Sequence, residues 1–236
     1  MTYTNGSVSA EFIDNTDEEN KHKTAILLLH GWGGGLSSFL GTYNALSDMG
    51  CRVVNYAFPK TVPDGWGVYD YAAHVAAFIE ERGLDKPIII GHSFGGRVGI
   101  ILASRGLAGK LVLVDSAGLK PRYNIKKNFA VYRYHRAVKH GKPLDGFGSI
   151  DYNNTSGGER KVFVRIVNTH LDKLLPFVKC PTLIVWGKSD KDTPPYMARR
   201  LKRAIAGSKL YFLDGGHYAY VESHFGFINI IKPFVT

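Results

Sequence analysis

The feature that most limits what this chain can fold into is the recurrence of short apolar runs separated by helical patterns. The runs are Ala25 to Leu29, Arg52 to Phe58, Ile88 to Ile90, Leu111 to Val114, Thr182 to Trp186 and Leu210 to Leu213. They are rich in Val, Ile and Leu without strict polar alternation, the pattern of strands covered on both faces. Ser7 to Ile13 adds a less buried edge strand. Between the runs, Ala72, Val75, Ala76 and Ile79 fall at helical spacing, as do Val98, Ile101 and Leu102. Met197, Leu201, Ala204 and Ile205 mark a further helix, opened by Pro194 and Pro195 and stopped by Gly207. Val221, Phe225 and Ile228 mark the last. Strand and helix in alternation predict a parallel sheet with helices on both faces. At 236 residues the chain suits one such domain.

The alternation breaks once, from Ala117 to Lys179. This stretch predicts a helix with Ile125, Phe129 and Tyr132 on one face, a loop over Gly141 to Asn154, and a second helix. The second helix opens with Ser156-Gly157-Gly158-Glu159, read as a capping box, and carries Phe163, Ile166, Val167 and Leu174. A connection this long between core strands is expected to be a lid or binding segment. The reading is therefore a core of residues 1–116 and 180–236 with a helical lid at 117–179.

Charge sharpens the division. The net charge is +10, yet Ser116 to Lys179 alone holds thirteen Lys/Arg against four Asp/Glu. Lys120, Arg122, Lys126, Lys127, Arg133, Arg136, Lys139 and Lys142 gather around the first insert helix, and Arg160, Lys161 and Arg165 open the second. Solvated helix faces account for any one of these residues. The segment as a whole invites an anionic substrate, an acidic carrier or an anionic membrane surface. The aromatic residues of the first helix read as its core face, which argues against nucleic acid.

The chemistry is carried by Gly91-His92-Ser93-Phe94-Gly95, between an apolar run and a helix. Glycines flank a serine where a sharp strand-to-helix turn leaves no room for side chains and lifts the hydroxyl above the sheet. His30-Gly31-Trp32-Gly33-Gly34-Gly35 ends an earlier strand. The N–H of Trp32, with that of Phe94, would supply the two backbone donors an oxyanion needs. Asp190 follows the strand beginning at Thr182, and His217 follows Leu210 to Leu213. The order Ser93, Asp190, His217 suits nucleophile, orienting acid and base. Asp115 ranks second for the acid and Asp192 third. His30 and His92 read as packing or hydrogen-bonding residues beneath the site, and His224 as a poor base. His22, His74, His135, His140 and His170 have no paired spacing for a metal. Phe129, Tyr132 and Phe163 are the candidates for a substrate pocket.

Taken together, HGWGG, GHSFGG, LVLVDSAG, PTLIVWGKSD and GGHYAYVE resemble the α/β-hydrolase superfamily across nearly the whole chain. The resemblance implies an eight-stranded, mostly parallel sheet with a lid inserted after strand 6. A serine at the elbow differs from the dehalogenase and epoxide-hydrolase branches, which use aspartate there. HGWG looks like the loop of methyl-ester esterases acting on acyl-carrier substrates and of some arylesterases. The carbon–carbon hydrolases of aromatic degradation share the triad, but their loop usually has Pro where this chain has Leu36. The expected function is a carboxylic ester hydrolase acting on a small-molecule ester, neutral, anionic or carrier-linked, without metal or organic cofactor. A carbon–carbon bond hydrolase and a slow-turnover binding or receptor protein are the alternatives. Cys51 and Cys180 predict buried reduced thiols, no apolar run reaches membrane-spanning length, and no secretory signal is visible, so the expected location is cytoplasmic. Oligomeric state is not legible.

Overall fold

A computed structural model describes residues 1–122, 136 and 150–236, the side chains of 150 and 151 excepted. Eight strands form one sheet: β1 (Thr2–Asn5), β2 (Val8–Asp14), β3 (Ile26–Leu29), β4 (Val53–Ala57), β5 (Ile88–His92), β6 (Lys110–Val114), β7 (Thr182–Gly187) and β8 (Lys209–Leu213). Their spatial order is β1-β2-β4-β3-β5-β6-β7-β8. β1 and β2 pair antiparallel with each other, β2 pairs antiparallel with β4, and every pairing from β4 to β8 is parallel.

The helices are α1 (Leu40–Asp48), α2 (Val68–Glu81), α3 (Phe94–Ser104), α4 (Ile150–Asn154), α5 (Gly157–Asn168), α6 (Tyr196–Ala204), α7 (Ala219–Glu222) and α8 (His224–Val235). Short 3-10 helices cover Leu36–Phe39 and Asp172–Phe177. Successive strand residues point to opposite faces, and the core divides accordingly. Leu27 and Leu29 pack with α2, α3 and α6, while Ile26 and Leu28 pack with α1, α7 and α8. Parallel strands run in one direction, so the C-terminal ends of β3, β5, β6, β7 and β8 share one edge of the sheet.

Several expectations need correction. β1 was not legible, because its four residues bury only Tyr3. The segment Leu36–Asp48 is helical, although only Phe39, Thr42 and Leu46 are buried along it. β8 is an edge strand with Tyr211 exposed, not a strand covered on both faces. The last helix is two, interrupted at Ser223. Ser156 is the N-cap of α5 but makes no side-chain capping bond, and Leu174 lies in the 3-10 helix rather than in α5. Val167 of α5 is exposed, and Ile150–Asn154, expected as loop, is helical. Cys51 and Cys180 are free but only half-buried. Phe129, Tyr132 and Ile125, with the cations Lys126, Lys127, Arg133, Lys139 and Lys142, lie outside the described residues, as do His135 and His140.

Candidate active site

Ser93 stands between β5 and α3 at φ +48° and ψ −106°, a strained conformation for a residue with a side chain. The glycines around it are required by contact. A Cβ at Gly91 would lie 2.5 Å from the Gly95 carbonyl oxygen, and one at Gly95 would lie 2.0 Å from that of Leu29. Ser93 is the N-cap of α3, so the N–H of Phe94 is among the donors that a helix start leaves without an internal partner. The loop after β3 lies against this turn. A Cβ on Gly31 would sit 3.4 Å from Ser93 Cβ, and the Trp32 and Phe94 rings meet edge to face at 5.4 Å. Among the described residues no acceptor takes the Trp32 N–H. The loop after β3 and the start of α3 thus meet beside the serine.

At the next strand ends, His217 Nδ1 donates to Asp190 Oδ2 at 2.9 Å. The Asp190 side chain is fully buried and that of His217 is 12% exposed. Asp190 takes four donors: the N–H groups of Asp192 and Thr193 on Oδ1, at 2.8 and 3.0 Å, and the Thr193 hydroxyl and His217 on Oδ2. Burial pushes the Asp190 carboxyl up, but the bonds from His217 and Thr193 outweigh it and hold it below the usual carboxylate range. The carboxylate is therefore the resident form, and it selects the Nδ1–H tautomer of His217, leaving Nε2 as the basic nitrogen.

His92, next to the serine, ties the two halves together. Its Nε2 donates to the His217 carbonyl at 2.8 Å, and burial pushes its imidazole down to about 3. His30 donates from Nδ1 to the Gly31 carbonyl at 2.7 Å and accepts the Phe58 N–H at Nε2. Both are neutral hydrogen-bonding residues beneath the site. Asp192 contributes its N–H to Asp190, while its carboxylate is exposed. Asp115 bonds Gly187 N–H and does not reach His217 among the hydrogen bonds found. Asp190, Asp192 and His217 bring one potential ligand atom each within 4.8 Å of one another. Both Asp190 oxygens are already taken by protein donors, so the cluster is arranged as a hydrogen-bond relay.

A cavity of about 370 Å³ opens from the Gly31–Gly34 loop, with Trp32, Phe58, Tyr71 and Phe94 in its walls and Lys60 and Glu159 among its lining. Phe163 is buried and packs on Trp32 at 5.4 Å, but it is not a wall of this cavity. Thr193, Phe58 and Tyr71 are the site residues that sequence reasoning missed. The Asp190–Thr193 spacing ahead of Pro194 was a readable turn signal for the first. Phe58 and Tyr71 carried no such signal. The cations that open α5 are largely engaged locally. Arg165 donates to the carbonyls of Asp64 and Trp66, Lys161 meets Asp64 at 3.4 Å, and Arg160 bonds the Thr155 carbonyl and stacks over Tyr152.

Comparison with known proteins agrees with this fold. The model of the alpha/beta hydrolase family matches residues 26–229. A 2-hydroxy-6-oxo-2,4-heptadienoate hydrolase of Pseudomonas putida is 23% identical, covering 100% of this chain and 99% of that protein. The crystal structure of an enol-lactonase from Burkholderia xenovorans superposes with a TM-score of 0.77 at 19% identity, over 99% of both chains. An esterase from Exiguobacterium antarcticum superposes at 0.76 with 19% identity, over 97% of this chain and 96% of the other.

Proposed function

The chain belongs to the alpha/beta hydrolase family, and from that membership we propose that it is a serine hydrolase cleaving carboxylic esters through an acyl-enzyme. The observation that carries the reading is the 2.9 Å bond from His217 to the buried Asp190, at the same sheet edge as the strained Ser93 turn. In this mechanism His217 Nε2 takes the Ser93 proton as Oγ attacks the ester carbonyl. The oxyanion is met by the N–H groups of Trp32 and Phe94, each worth about 3 kcal/mol by mutational precedent. The protonated His217, held by Asp190, returns its proton to the leaving alkoxide. Water activated by the same imidazole then releases the acid and restores the serine.

The aromatic cavity is at the small end of the ligand range, about 300–1,000 Å³, which favours a short or compact acyl group over a long chain. Phe163 supports this wall through Trp32. The insert between β6 and β7 serves as the lid of the site. An anionic tail on the substrate would meet Lys60 at the cavity, with Glu159 opposing it. Comparing turnover of neutral and carboxylate-bearing esters at low and high salt tests that detail, and equal response removes it.

A second reading has its own support. The relative from Pseudomonas putida is a dienoate hydrolase matched end to end, and carbon–carbon cleavage would use the same serine, histidine and aspartate. The deciding experiment measures p-nitrophenol release from acetate, butyrate and octanoate esters, and turnover of a vinylogous diketone, by the native chain and Ser93→Ala. Ester turnover abolished by the substitution supports the esterase. Diketone turnover with little on esters moves the assignment to the carbon–carbon hydrolase. Loss of neither activity in Ser93→Ala refutes the mechanism.

A further inference from the structure

Asp115, which the mechanism leaves unused, occupies surroundings unfit for a carboxylate. It is the first residue after β6, at 0% exposure, and its φ of +42° is rare for a residue with a side chain. Its N–H donates to the Val185 carbonyl at 3.1 Å. Its own carbonyl lies 3.0 Å from the Thr193 hydroxyl, and Oδ1 accepts the Gly187 N–H at 2.7 Å. Oδ2 is buried and receives no donor among the described residues. A charged oxygen left this way in the interior is costly.

The groups that face it add to the cost. Asp190 from the turn after β7 and Glu222 from α7 are both acidic, and Tyr220 of α7 is a phenol. Burial, opposed by the Gly187 bond and reinforced by Asp190 and Glu222, pushes the Asp115 carboxyl up to about 9. Protonation resolves the misfit. Two carboxylates cannot hydrogen-bond each other, whereas an acid and a carboxylate can, and Asp190 is among the groups that raise the Asp115 carboxyl.

Resting on the assignment of Asp190 above, we propose that Asp115 is a positioning residue held as a neutral acid, its Oδ2–H donating to Asp190 and so helping aim that carboxylate at His217. The Thr193 hydroxyl, within reach of both Asp190 Oδ2 and the Asp115 carbonyl, holds the other side. Asp115 touches no substrate, and its proton stays in place through the reaction.

Asp115→Asn keeps an oxygen for Gly187 and presents an N–H to Asp190, imitating the neutral acid; Asp115→Ala removes the donor. The expected result is kcat within about threefold of native for the asparagine. The alanine loses about tenfold or more in kcat with KM little changed, as for one lost bond to a charged group. Equal losses in the two variants overturn the proposal. Independently of catalysis, the unfolded chain releases the Asp115 proton near pH 4 while the native chain keeps it to about pH 9. The Tm advantage of Asp115→Asn over native should therefore widen between pH 5 and pH 8 by about 3 °C or more, and a constant gap overturns the proposal. In the native protein, infrared spectroscopy at pH 7 should show a protonated-carboxyl band that Asp115→Asn deletes. Its absence from the native spectrum also overturns the proposal, whether or not the variants fold. If Ser93→Ala remains active, the esterase reading fails while the Tm and infrared results still decide Asp115.

Discussion

Replacing Asp190 with asparagine tests the relay at its centre, and the structure indicates how the site would respond. The remaining amide oxygen can keep the Asp192 and Thr193 N–H bonds at the Oδ1 position. The new NH2 group then occupies the Oδ2 position, facing the Thr193 hydroxyl and His217 Nδ1. Thr193 accommodates it, because its hydroxyl already lies 3.0 Å from the Asp115 carbonyl and can donate there while accepting from the amide. His217 cannot adapt without harm. To accept from the amide its Nδ1 must give up its proton, which moves to Nε2, the nitrogen needed as the base. The fold therefore survives, losing about 1–2 kcal/mol for the exchanged bonds. The rate falls by about 10³–10⁴, the scale of the wrong-tautomer penalty in a serine triad, or roughly 4–5.5 kcal/mol of barrier. The assay is kcat on the best p-nitrophenyl ester, beside a urea midpoint to show that the variant is folded. A folded Asp190→Asn enzyme retaining more than a tenth of native kcat would refute the tautomer argument.

Three further outcomes follow from contacts elsewhere. In Gly95→Ala the new Cβ starts 2.0 Å from the Leu29 oxygen, where ordinary contact begins at 3.4 Å; a loss of about 3 kcal/mol or more is expected in urea unfolding. Gly35→Ala, with extended backbone and nothing within 4 Å, should stay within about 0.5 kcal/mol, and equal losses in the two would contradict the packing account. Arg97, buried on α3, donates to the carbonyls of Ile166 and Thr169 at the end of α5. Arg97→Met should cost about 2–4 kcal/mol and speed amide hydrogen exchange around 166–171; unchanged exchange there would dismiss it as a tether. Burial pushes His30 down to about 4 and His92 to about 3, so the unfolded chain gains protons below pH 6.5 that the native chain refuses. Stability is thereby lost as pH falls from about 6.5 toward 4, while Asp115 acts in the opposite sense. Asp115→Asn, free of that opposition, should lose about 2–4 kcal/mol between pH 7 and pH 5, and a flat profile would show that these histidines are not held neutral.

Much of the site was legible because its parts are local. Gly91 is demanded by a contact within the elbow itself and Gly95 by the Leu29 carbonyl of the neighbouring strand, and the loops bearing Trp32, Asp190 and His217 each begin where an apolar run stops. Since the strands are parallel, stopping points scattered along the sequence become neighbours at one sheet edge, so the order of motifs was enough to nominate the candidate residues there. Where an element buries little of itself, as β1 does and as Leu36–Asp48 does, the periodic signal had too few apolar residues to register.

Residue types and chain order, then, determined the fold and nominated Ser93, Asp190 and His217. Only the tertiary structure decided that Asp190 rather than Asp115 faces His217, that Thr193 and His92 hold the relay, and that Phe58 and Tyr71 line the cavity. The reason is physical. Strand pattern and turn strain are set by neighbours in sequence, whereas burial, orphaned oxygens and the charge a carboxyl carries are set by groups that meet only in space. Asp115 and Asp190 both follow strands of the same sheet, and their different environments make one the candidate neutral acid and the other the carboxylate.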